Sequence, residues 1–243
     1  MKAWWAQTLA EVTMTLRRGE TLLLTVAIPV ILLIFFSSVR VTSTPTVHRV
    51  DFATPGILAL SVMSTSLVAL SIATGFERSY GVLRRLHVTP LGRRRLVAAK
   101  MAGVGVTEIL QVLIVAGVGL ALGWNPHGGA RSAFDAAAVL ALASAGFAGI
   151  GLALAGRLRA EVNLAAANGL YLILLLFSGL VIPATSLPAP IQRVATALPS
   201  GALAEGLHRL FGQGLAPTGG DWICLAAWAL AAPLVAARTF SFD

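Results

Sequence analysis

Six stretches of this chain are apolar, nearly free of charge and about as long as a helix that crosses a bilayer. No other feature constrains the fold so strongly. They cover residues 21–39, 52–76, 101–124, 134–156, 162–182 and 222–237, and a transmembrane helix needs about 20 mostly apolar residues. Only 12% of the 243 residues are charged and 57% are hydrophobic, against about 25% charged in a soluble domain. That leaves too little polar surface to cover a globule in water. Hydrocarbon offers the backbone no hydrogen-bond partners, and the runs show no period-two alternation, so the spans are helices and not barrel strands. The expected fold is an all-α membrane protein, a single transmembrane domain over residues 1–243 with six transmembrane helices.

An even number of spans puts both termini on one side. Thirteen of the 18 Lys and Arg residues fall on that side, and five (Arg40, Arg49, Arg131, Arg193 and Arg209) fall on the other. The bias predicts cytoplasmic termini, in a multi-pass protein of a bacterial plasma (inner) membrane. The net charge of +8 sits in clusters beside the spans, which is topology-setting charge and gives no nucleic-acid face. Arg17-Arg18 ahead of an apolar run is a faint twin-arginine pattern. The run is too long for a signal peptide and no small-x-small site follows, so an uncleaved first span is expected.

Two further segments stand out. In residues 1–20, Trp5, Leu9, Val12 and Leu16 recur at helical spacing, which predicts an amphipathic helix in the cytoplasmic interface. Residues 183–214 are apolar but repeatedly broken by Pro and Gly. They predict two short helices re-entering the outer leaflet, since broken backbone is tolerated at depth only when protein covers it.

Motifs for chemistry are absent. There is no phosphate-binding loop, as the only lysines, Lys2 and Lys100, follow no glycine-rich run. His48, His87, His127 and His208 are all expected in loops, so neither a metal nor a cofactor site is foreseen. Cys224 lies alone in an apolar run. Nothing in the sequence points to catalysis.

The loop between the second and third spans is different. Glu77-Arg78-x-x-Gly81-x-Leu83-x-x-Leu86-x-x-Thr89-Pro90 is a short, basic, helix-compatible segment on the charge-rich side. Leu83 and Leu86 are three apart and share a helical face, an expected apolar knob for a partner. Gly81 permits close approach, and Thr89-Pro90 turns the chain back. Glu77 is expected to pair nearby or to sit at a helix N-terminus. The arginines after Pro90 read as topology anchors on anionic lipid.

This loop resembles the first cytoplasmic loop of type 2 ATP-binding-cassette (ABC) exporter permeases. The Ser178-Gly179…Pro183…Leu187-Pro188…Leu198-Pro199…Glu205 series is similar to that family's outer segment before its last span. The resemblance implies a membrane half-unit that pairs with a second permease, identical or homologous, around a pathway. It also implies a separate cytoplasmic nucleotide-binding subunit carrying ATP and Mg, docked at Glu77, Arg78, Gly81, Leu83, Leu86, Thr89 and Pro90 (coupling loop, residues 77–90). The expected substrate is an amphipathic drug, a lipid or a lipid-linked glycan.

Glu108 is an acidic residue well inside a span, with Gln111 a turn later. A carboxylate there faces protein or water, so Glu108, Gln111 and the outer Glu205 are candidates for substrate contact or gating. The alternative weighed for Glu108 is a structural hydrogen bond. The small residues Ala145, Gly149, Gly151 and Ala155 are expected to serve helix packing. The competing function is a proton-coupled secondary carrier using Glu108, but no internal repeat supports it.

Overall fold

The computed structural model describes residues 8–9, 12–13, 19–38, 49–83, 92–179 and 189–240. Among them the regular elements are all helices: α1 (Gly19–Ser38), α2 (Arg49–Ser79), α3 (Arg93–Ala121), α4 (Gly129–Ala155), α5 (Ala160–Phe177), α6 (Ala189–Ala197), α7 (Pro199–His208) and α8 (Gly219–Thr239). Five of these, α2, α3, α4, α5 and α8, are long and apolar enough to cross a membrane. Within α1 the shorter apolar stretch Thr25–Ser38 falls below that length. Most of the expected N-terminal interfacial helix lies outside the described residues.

The helices outrun the hydropathy boundaries. α3 starts at Arg93, well before the expected residue 101, because Gly92 is extended (φ −66°, ψ 161°) and arginine and lysine are good helix formers once clear of the apolar layer. α5 stops at Phe177 instead of residue 182, where Gly179 takes a left-handed φ of +74°. His208, expected in a loop, closes helix α7 instead.

Small residues set the closest helix contacts. A Cβ on Gly149 would lie 2.4 Å from Pro233 N, and one on Gly146 would lie 3.3 Å from Trp228 Cβ, so α4 and α8 approach almost backbone to backbone. The main core joins Met63, Leu67, Phe147, Leu203, Leu207 and Leu225. α7 is buried in it along most of its length.

The bundle has two chemically distinct ends. At one, a second core cluster gathers Leu83, Leu96, Val97, Leu152, Ala236 and Phe240, joining the α2–α3 loop, the end of α4 and the C-terminal end of α8. At the other, Asn125 N–H donates to Asp51 Oδ1 at 2.9 Å, His127 N–H donates to Phe211 O, and Trp124 meets Phe211 edge-on.

Candidate functional site

The segment after α2 is built as a capped turn. Tyr80 N–H donates to Phe76 O at 2.9 Å and Gly81 N–H to Arg78 O at 3.0 Å. Gly81 has φ +71°, the left-handed conformation with which glycine ends a helix. A Cβ there would meet nothing within 4 Å, so the dihedral alone calls for glycine. Helical backbone resumes at Val82 and Leu83; Leu86, Thr89 and Pro90 lie outside the described residues.

The expected apolar knob needs correcting at Leu83. Its side chain is 0% exposed and belongs to the buried cluster that includes Leu96, Val97 and Phe240. Alternation around the turn therefore brings Tyr80 (75% exposed) and Val82 (41%) to the outside. Leu83 anchors the segment to the bundle, and its neighbours form the outward face.

Two charged residues fasten the same turn. Glu77 sits in the last turns of α2, not at a helix N-terminus, and there the helix dipole disfavours a negative charge. Lys100 on α3 compensates: its Nζ lies 2.5 Å from Glu77 Oε2, with the lysine 1% and the glutamate 20% exposed. Arg78, of the favourable sign for a helix C-terminus, donates from Nη2 to Leu158 O in the α4–α5 connection. The end of α2 is thereby tied to α3, to α8 through Leu83 and to the start of α5.

Polar ties continue up α2. Ser71 Oγ donates to Asn163 Oδ1 and Asn163 Nδ2 donates back to Ser71 O, both at 2.8 Å. Gly75 makes room for that asparagine, since a Cβ would lie 2.7 Å from Nδ2. Above it, α2 widens into a π turn over Ser64–Ala69. Such turns interrupt the usual ladder and occur often at functional sites. Thr65 Oγ1 donates to Gln111 Oε1 at 2.9 Å, and Gln111 Nε2 donates to Thr25 O at 2.7 Å, so Gln111 links α1, α2 and α3. Gly151 lets α4 approach the π-turn carbonyls, where a Cβ would fall 2.7 Å from Leu67 O.

Glu108 lies one turn below Gln111 and is 5% exposed. Ser144 of α4 donates to its Oε2. Its Oε1 is buried without a hydrogen-bond partner among the described residues, and Ser66 of α2 donates to Val62 O. Both Glu108 and Ser144 line a cavity of about 420 Å³ between α3 and α4, otherwise bounded by apolar or small residues including Met101, Gly105, Val112 and Leu140.

Glu205 is in neither assembly. It lies exposed on α7 at the opposite end, 4.0 Å from Arg209 Nη1, at the rim of a more polar cavity of about 470 Å³ with Gln213 and Asp221. His208 there stacks on Phe52 at 4.5 Å, and burial lowers its pKa to about 4, so the imidazole is neutral at physiological pH.

Sequence reasoning missed Lys100, Asn163 and Tyr80. Asn163 was findable, since an amide within a span is a natural interhelical tie, although Asn168 in the same span gave the same signal. Lys100 carried no such signal, because it read as one more topology charge.

The family model described as ABC-2 type transporter matches residues 2–211. A relative from Bacillus subtilis (strain 168), named "Putative transport permease YvfS", is 25% identical over 226 residues, covering 91% of this chain and 90% of its own length. With that match over most of its length, the chain belongs to the ABC-2 type transporter family.

Proposed function

We propose that this chain is the membrane half-unit of an ATP-driven exporter in a bacterial plasma membrane. Both termini face the cytoplasm, and hydrolysis occurs on a separate ABC nucleotide-binding subunit. The observation that carries the reading is the turn at residues 77–83. It exposes Tyr80 and Val82 while Leu83, the Glu77–Lys100 pair and the Arg78–Leu158 contact fix it to three other parts of the bundle. A charge anchor on lipid requires none of these fastenings.

A push on Tyr80 and Val82 would be carried along α2, and the ties at Lys100, Asn163 and Gln111 would pass it to α3, α5 and α1. Two half-units, identical or homologous, rocking against each other would open a pathway alternately to each side, as closed two-fold assemblies favour. α6 and α7 dip into the outer leaflet as a re-entrant pair, and α1 is the sixth span. The transported class is an amphipathic drug, a lipid or a lipid-linked glycan.

Co-purification and transport test this directly. The chain should bring down an ABC nucleotide-binding subunit, and vesicles holding both should accumulate substrate only with hydrolysable ATP. Accumulation driven by a proton gradient without ATP, and lost in E108Q, would instead favour the secondary carrier.

A further inference from the structure

The cavity between α3 and α4 combines a large apolar wall with one incompletely bonded carboxyl. It is within the range of small-molecule pockets, ~300–1,000 Å³. Glu108 is buried, Ser144 fixes its Oε2 and thus its orientation, and Oε1 is left without a donor. A buried acceptor with no donor is destabilising, and an intramembrane carboxyl is costlier still unless it is matched. Ile109 and Leu113, 64% and 65% exposed, flank the mouth, so the cavity opens sideways on the bundle.

We propose that this cavity is a binding site for a cationic amphiphile, its apolar body between α3 and α4 and its protonated amine paired with the Glu108 carboxyl in the cavity wall. The other lining residues bring no second charge: Ser144 is already donating, and the remainder are apolar or small. Recognition therefore rests on a single ammonium on an apolar frame, and a neutral or anionic analogue leaves the carboxyl unmatched. Such a ligand enters laterally from the membrane. Two sources carry this chemistry, an amphipathic amine and the headgroup of an aminophospholipid. As a transport substrate site, the cavity rests on the exporter reading; as a binding site it does not.

The test is nucleotide-free binding to the full chain in phosphatidylcholine nanodiscs. The probe is dansylcadaverine, and its neutral counterpart is N-pentyl dansylamide. The wild type is expected to favour the amine, and E108Q to weaken amine binding about tenfold or more and lose the preference for the amine over the neutral probe, whose retained binding reports an intact fold. Added phosphatidylethanolamine that competes with the probe would identify the lipid headgroup as a source; amine binding that survives it would identify the free amine. Equal affinity of wild type and E108Q for dansylcadaverine would overturn the proposal. ATP-dependent uptake in vesicles is scored separately. Binding without uptake would count against the exporter reading alone, and uptake of another substrate without amine binding would count against this site alone.

Discussion

Lys100 Nζ and Glu77 Oε2 are 2.5 Å apart, with the lysine almost fully buried and the glutamate in the last turns of α2. The pair joins the segment that faces outward to the helix that carries Glu108. Breaking one partner leaves the other charge poorly compensated. K100M is expected to cost up to ~3 kcal/mol, read as a lowered thermal midpoint in detergent, and E77Q/K100M should recover most of it. Additive losses would mean the two charges act independently.

Asn163 and Gly75 predict a reversal of sign. In the wild type, G75A drives a methyl to 2.7 Å from Asn163 Nδ2 and disturbs the two bonds to Ser71, a loss of about 1 kcal/mol. In an N163A background the clash is gone, and replacing a helical glycine by alanine gains about 0.5–1 kcal/mol. Thermal unfolding of the four variants reads out the cycle.

Gly149 should tolerate nothing larger. A Cβ meets Pro233 N at 2.4 Å and Ala232 C at 2.5 Å, which are backbone atoms unable to step aside. G149A is expected to lose about 3 kcal/mol or more by overpacking, seen as aggregation on size exclusion. G169A, where a Cβ meets nothing within 4 Å, should be neutral or slightly stabilising.

Gly81 separates coupling from stability. Its φ of +71° costs a residue with a Cβ about 1–2 kcal/mol, and that strain is local to the turn. G81V is expected to leave the thermal midpoint of the bundle within a few degrees of the wild type while ATP hydrolysis no longer supports transport. Full transport in G81V would remove the turn from the mechanism.

Five of the six span-length runs were legible as membrane-length helices because bilayer thickness and backbone hydrogen bonding leave few alternatives. So were the short helices within residues 183–214, since Leu198-Pro199 opens α7 with proline at its first turn. The helix ends were less so. Hydropathy marks where the apolar layer stops, whereas α3 runs on through Arg93–Lys100. A turn does follow α2 at residues 80–81, but the facing of the proposed coupling loop was inferred from the Leu83–Leu86 spacing. Spacing says which residues share a face and not which face the bundle covers; the cluster that holds Leu83 and Phe240 joins residues far apart in sequence. For the same reason Glu77–Lys100 and Ser71–Asn163 could not be read from any local pattern. Glu108 was legible as costly, while its partner Ser144, on another helix, was not.

The central claim is that a nucleotide-binding subunit bears on the turn at Tyr80 and Val82. Photo-crosslinking amino acids at these two positions, in membranes holding an actively transporting complex, test it most directly. Adducts with that subunit from both positions, with yields that change between ATP-bound and nucleotide-free states, are the predicted result. Adducts with lipid alone, in a complex that still transports, would contradict the account.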